Sequence, residues 1–379
     1  MIKFALKDNI VCKGKISQAA SNVLKGYKSA FNSTIVELLS DYDFKFVNMD
    51  EFGMGSFGVH SAYGPVSIEG RVVGGSSSGC AAAVKTEQCE IGIGTDSGGS
   101  IRLPAAFCDL YGFKPTYGRI SRFGVITYCQ SLDTIGILSR NLKGVVDTFR
   151  LLDKWDNKDP TAIPEIFRNK MIIERKEVVV GIPINILDNK FLDTVRYLTC
   201  NPNIKFKKIN LDYFEYSLAC YYIIATAEAS SALNKYNGLL YPERRHSLTF
   251  EENLKYTRSK FGKEVLSRLQ LGDFVLNNDA FETWFLQAAK VRKLIQMDYE
   301  RVFKAVDYVL MPTTLQKPPL VEDVLNPSIN DYRSDSYTVG PSLSGLPTLS
   351  FPINGISLQF IGPVLSDLQL LRDVRHLII

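Results

Sequence analysis

Between Gly74 and Thr116 the chain sets two glycine-wrapped serine clusters against apolar runs, and few folds can take such a segment. The clusters are Gly74-Gly75-Ser76-Ser77-Ser78-Gly79 and Asp96-Ser97-Gly98-Gly99-Ser100. Runs of this composition are ordinarily plain loops. Here Ala81 to Val84 reads as a helix and Ile91 to Gly94 as the end of a buried strand, so both clusters sit where packed elements meet. Glycine permits the tight, positive-φ backbone that brings N–H groups close to a reacting atom. Serine adds the hydroxyl. Together they offer what a serine nucleophile needs, an exposed Oγ and donors aimed at the oxyanion formed when a carbonyl is attacked.

Such junctions call for alternating strands and helices, and the rest of the chain agrees. Phe44 to Val47 and Val178 to Ile182 read as strands, and Leu142 to Leu152 reads as a helix followed by a charged surface loop, Asp153 to Pro164. Helical periodicity dominates from about 213 to 306. Its clearest stripe, Phe281, Trp284, Phe285, Ala288, Val291, Ile295, Tyr299, Val302 and Val306, is expected to be core. A strand from Tyr308 to Met311 is expected to end at Pro312, and Asn354-Gly355 between Leu349-Ser350-Phe351 and Ile356 to Phe360 predicts a hairpin. The expectation is one α/β domain over 1–379 with a mixed sheet, its motifs within 1–140 and a helical insertion at about 213–306.

Composition narrows the classes. With 45% hydrophobic and 22% charged residues and a net charge of +4, the chain has a soluble globular make-up without a polybasic surface. Seven cysteines include no CxxC pair, which disfavours a zinc site or disulfide scaffold and points to a reducing compartment. No run of about 18 apolar residues suggests a membrane span. The start, MIKFALKDNIVCKG, resembles neither a secretory signal nor a transit peptide.

Two phosphate-binding readings of the glycine stretch fail. Gly74-x-x-x-x-Gly79 has Cys80-Ala81 where a phosphate loop needs Lys-Ser/Thr, and Gly92-x-Gly94-x-x-x-Gly98 misses the dinucleotide spacing by one residue. Gly75-Ser76-Ser77-Ser78-Gly79 matches a nucleophile elbow centred on Ser77, provided a downstream histidine serves as base. Of the three histidines, His246 lies in a charged run, His376 is in the last four residues, and His60 precedes the clusters. The other base available to a serine is a lysine with a destabilised ammonium. A free lysine titrates at about 10.4, and burial can lower that by several units. Lys7, closing the apolar run Phe4-Ala5-Leu6, is one possibility for that base; an ordinary surface lysine is the other reading.

Leu6-Lys7-Asp8-Asn9-Ile10, Gly74 to Gly79, and Gly94-Thr95-Asp96-Ser97-Gly98-Gly99-Ser100-Ile101-Arg102-Leu103-Pro104 together resemble the amidase signature family. The resemblance implies a mixed central sheet covered by helices on both faces, and a Ser–cis-Ser–Lys triad. It puts the nucleophile at Ser100, the bridging serine at Ser76 and the base at Lys7. The oxyanion hole falls on the backbone of Ser97, Gly98 and Gly99, with Asp96 and Arg102 locking the loop.

Asn48 to Ser56, Phe113 to Val125, Ser131 to Gly136, Tyr337-Thr338-Val339 and Leu343 to Pro347 are similar to the A subunits of glutamyl-tRNA(Gln) amidotransferases. Ser78, where most of that group has glycine, and Phe52-Gly53-Met54-Gly55 point to the fungal mitochondrial branch. The resemblance implies glutamine as substrate, with Arg268 for its α-carboxylate and Asp335 for its α-amino group; alone, each would read as a solvated charge. It further implies a B subunit and a small accessory subunit as partners, with Glu-tRNA(Gln) reached through the complex. A mitochondrial matrix location, no cofactor in this chain, and ATP and Mg at the partner subunit are implied as well. A stand-alone amidase and a non-catalytic scaffold subunit are the alternatives. Two departures stand out. The family has several tens of residues ahead of its lysine, and the Pro65 to Gly74 connection is shorter than usual.

Overall fold

A computed structural model describes residues 2–168, 172–186, 191, 195, 201–239, 249–325 and 331–378. The first strands are β1 Lys3–Lys7 and β2 Asp43–Val47; β3 Ser67–Ile68 and β4 Arg71–Val72 form a separate small ribbon within the Pro65 to Gly74 connection. Next come β5 Ile91–Asp96, β6 Tyr111–Lys114, β7 Thr134–Ser139, β8 Val178–Pro183 and β9 Ile204–Ile209. β10 Tyr308–Thr314, β11 Thr348–Ile353 and β12 Ile356–Ile361 complete the set. Ten of them make one sheet in the order β2-β1-β5-β7-β6-β11-β12-β10-β8-β9. Pairing is parallel at both ends and antiparallel in the middle.

Helices cover both faces. α1 is Thr34–Leu38, α2 Ser78–Lys85, α3 Arg102–Phe107 and α4 Leu142–Leu152. α5 Ser217–Leu233, α6 Phe250–Arg258, α7 Lys263–Val275 and α8 Gln287–Val302 follow, then α9 Ser336–Leu343 and α10 Asp367–Ile378. α4 shows why such segments settle as they do. Asn141 caps it by accepting from the Gly144 amide at 2.8 Å, and Leu142, Val145, Phe149 and Leu152 fall on one buried face. The period of two along β10 divides the core. Tyr308 and Leu310 join the cluster with α4 and α10, while Val309 and Met311 join the one with α5, α7 and α8.

Three expectations need correction. β10 does not stop at Pro312 but runs to Thr314. Beyond Val309 its flank is no longer paired with β8, so a residue without an N–H leaves no gap in that ladder. The stripe at 281–306 is core only from Ala288 onward: Phe281–Leu286 is a π-helical turn, and Trp284 on it is 46% exposed. The wider turn breaks the 3.6-residue period that would carry the stripe inward. The loop after α4 is charged but not solvated throughout. Asp153 pairs with Arg119 and Arg168, and Asp156 accepts from Thr34 and Ser121.

The hairpin has Asn354 and Gly355 at φ 48° and 73°, the left-handed pair that a two-residue turn between twisted strands requires. His246, with its Arg244-Arg245 neighbours, and Cys200 lie outside the described residues. The other six cysteines are buried free thiols.

Candidate functional site

The topology brings the motifs together. β1 and β5 are parallel neighbours, with Phe4, Ala5 and Leu6 opposite Ile91, Gly92 and Ile93, so their carboxyl ends meet at one edge of the sheet. In open α/β sheets that edge is where ligands bind. β1 delivers Lys7 there, and β5 delivers Thr95 and Asp96 followed by the Ser97 to Ser100 loop.

Lys7 is fully buried, so it is not a surface lysine. Its Nζ donates to Ser76 Oγ at 2.6 Å, to Thr95 Oγ1 at 2.8 Å and to Thr95 O at 3.4 Å. All three acceptors are neutral. Burial lowers its pKa to about 8, against the nearby carboxylates of Asp50, Asp133 and Asp96, which pull it back up. The Gly75–Ser76 peptide is cis. Ser76 is itself buried, its carbonyl accepting from the Asp50 amide at 3.2 Å.

The two serine clusters are tied to each other, because the Ser77 amide donates to Ser100 O at 3.3 Å. Ser77 is fully buried and gives its hydroxyl to Thr95 O, so the serine at the centre of the elbow motif has no exposed Oγ. Ser100 is half-buried at the mouth of the loop. His60 sits on a different loop, where its backbone donates to Asp50 and accepts from Glu51, and His376 lies in the last turn of α10.

The Ser97–Gly98–Gly99 turn is held from outside. Ser97 Oγ donates to Asp133 at 2.5 Å, and Thr338 Oγ1 on α9 donates to Gly98 O at 2.5 Å. Both glycines are required by space. A Cβ on Gly98 would come within 2.4 Å of the Tyr221 ring, and one on Gly99, at φ 148°, within 2.4 Å of Thr338 Oγ1. Among the described residues, the N–H groups of Gly98, Gly99 and Ser100 make no hydrogen bond.

Asp96 and Arg102 form a buried ion pair beneath this loop, Nε at 3.0 Å and Nη2 at 2.9 Å from the two carboxylate oxygens. Burial alone would raise the Asp96 pKa; the Arg102 guanidinium overrides it and holds the carboxyl below its usual range.

Arg268 and Asp335 converge on one phenol. Arg268 packs 5.3 Å from the centre of the Tyr222 ring, whose hydroxyl donates to Asp335 at 3.0 Å. Both charges are only 6% exposed, which removes the reading as solvated surface groups. Arg268 also donates to Glu264 at 2.8 Å and to the Tyr128 hydroxyl at 3.0 Å. Asp335 accepts from Ser56 at 2.7 Å. Burial raises its pKa to about 6, against Ser56, Tyr222 and Arg268, so the group stays mostly ionised at neutral pH.

The sequence assigns no role to Thr95, Ser56, Tyr128, Tyr222, Asp133 or Thr338, although Thr95, Ser56, Asp133 and Thr338 fall inside segments that carry the resemblance. Thr95 also leaves a signal of its own, a hydroxyl residue closing an otherwise apolar and glycine strand next to Asp96. Two open clefts, of about 670 and 680 Å³, lie elsewhere and are lined by neither Lys7, Ser76 nor Ser100. Among the described residues no group of three His, Cys, Asp or Glu is placed to hold a metal ion, and no helix is long and apolar enough to cross a membrane.

Known proteins resemble this chain along nearly its whole length. The family profile described as Amidase matches residues 2–371. The A subunit of the mitochondrial glutamyl-tRNA(Gln) amidotransferase of Candida albicans is 37% identical over 393 residues, covering 95% of this chain and 87% of that protein. The A subunit of the Campylobacter hominis glutamyl-tRNA(Gln) amidotransferase is 37% identical over 99% of this chain and 88% of its own. Among solved structures, the Thermotoga maritima A subunit superposes with a TM-score of 0.79 at 30% identity, covering 98% of this chain and 81% of that one.

Proposed function

The chain belongs to the amidase family, and from that premise we propose that it is the glutamine-hydrolysing A subunit of a mitochondrial glutamyl-tRNA(Gln) amidotransferase. The observation that carries the chemistry is the buried Lys7 on Ser76, 2.6 Å away, with a pKa lowered to about 8. A base is most useful when it titrates near the working pH. In its neutral form Lys7 takes the Ser76 proton while Ser76 takes that of Ser100. Ser100 Oγ then bonds to the carboxamide carbon of glutamine. The oxyanion points at the backbone N–H groups of Ser97, Gly98 and Gly99, which are preorganised and need no reorientation. As the C–N bond breaks, Lys7 and Ser76 return the proton to the nitrogen and ammonia leaves. Water, deprotonated by the same pair, then releases glutamate from Ser100.

The α-carboxylate pairs with Arg268 and the α-ammonium with Asp335, so the clamp fits an amino acid better than a simple amide. Asp96 and Arg102 keep the loop in place and take no part in proton transfer. The ammonia serves a B subunit that amidates Glu-tRNA(Gln) with ATP and Mg bound there, with a small accessory subunit completing the assembly. The fungal relatives are named mitochondrial, and the mitochondrial matrix is where this chain works.

The test is Ser100→Ala, which removes one oxygen atom. Ammonia release from glutamine should fall by roughly 10³-fold or more with the fold unchanged. Near-wild-type turnover in the folded variant would exclude Ser100 as nucleophile.

A further inference from the structure

We propose that Asp133 is a positioning residue that holds the oxyanion loop and the substrate clamp in one register, an inference resting on the glutamine-hydrolase reading above. Asp133 is 2% exposed and lies just before β7, whose first residue, Thr134, pairs with Asp96 at the end of β5. One carboxylate oxygen, Oδ1, accepts from Ser97 Oγ at 2.5 Å. The other, Oδ2, accepts from the backbone amides of Tyr128 at 2.8 Å and Cys129 at 3.2 Å. The Asp133 amide in turn donates to Cys129 O at 2.8 Å, which closes residues 128–133 into a tight turn around the carboxylate.

The two oxygens therefore serve two different parts of the site. Through Ser97, Oδ1 fixes the start of the turn that presents the oxyanion donors. Through the Tyr128 backbone, Oδ2 fixes a phenol that accepts from Arg268 at 3.0 Å and lies under its guanidinium, with 5.7 Å from the ring centre to the central carbon. Neither arm touches the reacting atoms, and both set where they sit. The carboxylate accepts all three donors at once; an asparagine amide could mimic this by reversing the Ser97 contact, its N–H₂ donating to Ser97 Oγ, so only a side chain without polar atoms frees both arms. The same charge reaches the base. Lys7 is faced by Cys80 on α2, by Asp50, by Asp96 on β5 and by Asp133, and the Arg122 guanidinium is the cation beside Asp133.

Three variants separate the arms, assayed on glutamine and on propionamide, a neutral amide that makes no use of the clamp. Ser97→Ala should lower kcat about tenfold on both substrates and leave the glutamine KM in place, since a displaced oxyanion donor acts in the transition state. Tyr128→Phe should raise the glutamine KM about tenfold and leave propionamide unchanged. Asp133→Ala, which removes every acceptor, should show both effects, and its glutamine pH profile should shift its acidic limb to lower pH, because one anion holding Lys7 protonated is gone. A folded Asp133→Ala enzyme with wild-type glutamine KM, or with an unmoved limb, overturns the proposal. If that variant does not fold, the other two decide: an unchanged kcat in Ser97→Ala, or equal losses on both substrates in Tyr128→Phe, overturns it. Ser100→Ala run alongside keeps the questions apart, since turnover surviving there rejects the hydrolase reading whatever Asp133 does.

Discussion

Lys7 and Arg102 are both buried cations beside β5, and the fold treats them in opposite ways. Arg102 has every N–H engaged. Nε and Nη2 hold the two oxygens of Asp96, Nη1 reaches Thr338 O and Gln359, and Nη2 also takes Ser342. Lys7 has only neutral oxygens around its ammonium, from Ser76 and Thr95. The first arrangement fixes a charge permanently, because a guanidinium does not deprotonate near neutral pH and the carboxylate beside it favours the charged form further. The second leaves burial opposed by distant anions alone, which brings the pKa down to about 8. On the proposed mechanism one charge is scaffold and the other reagent, and the difference lies in the group and its partner rather than in the burial.

The contrast breaks most visibly when each partner is removed in turn. Asp96→Ala strands the Arg102 charge in the core and should cost about 3–5 kcal/mol of stability, read as a fall in the denaturant midpoint. Lys7→Met, by contrast, should leave stability unchanged or higher while abolishing glutamine turnover, since it removes a charge that burial opposes. Equal destabilisation by the two would mean that Lys7 is as structural as Arg102.

A smaller effect is expected at the proposed clamp, where Arg268 pairs with Glu264 and meets Asp335 through Tyr222. Arg268→Ala leaves a substrate carboxylate without its charge-assisted partner, a loss of roughly 1.5–3 kcal/mol. Glutamine use should weaken by about tenfold or more, while simple amides are hydrolysed as before. Parallel losses on both substrates would assign Arg268 a purely structural role.

How much of this could be read from the chain follows the same division between local and distant demands. The helix Leu142–Leu152 was legible because its cap and its period are contained in its own residues. The turn at Asn354-Gly355 was legible because positive φ is a local requirement. Lys7, Ser76 and Ser100 stood in short motifs, and their resemblance to a family marked them. The contacts of Thr95 and Asp133 were not legible, because their partners are 88 and 36 residues away and only the sheet's register brings them together. The exposure of Trp284 escaped for a related reason. A π-turn keeps the composition of a helix while shifting which side chains face inward.

The smallest expected change concerns Ser78, in the first turn of α2. Its hydroxyl is fully buried and has no hydrogen-bond partner among the described residues. Ser78→Ala should therefore hold or raise stability, by about 1 kcal/mol or less, without altering turnover. A marked loss of stability would show that the hydroxyl has a partner in solution.

Everything proposed for the chemistry turns on Lys7 acting as a neutral base through Ser76. The pH dependence of glutamine turnover tests that most directly, with Lys7→Arg measured beside the wild type. Below its pKa Lys7 holds its proton and cannot accept another, so the wild-type rate should fall as pH drops through about 8. Lys7→Arg should fold and remain inactive across the range, since a guanidinium does not deprotonate near neutral pH. A profile flat through that region, or turnover by the arginine variant close to wild type, would contradict it.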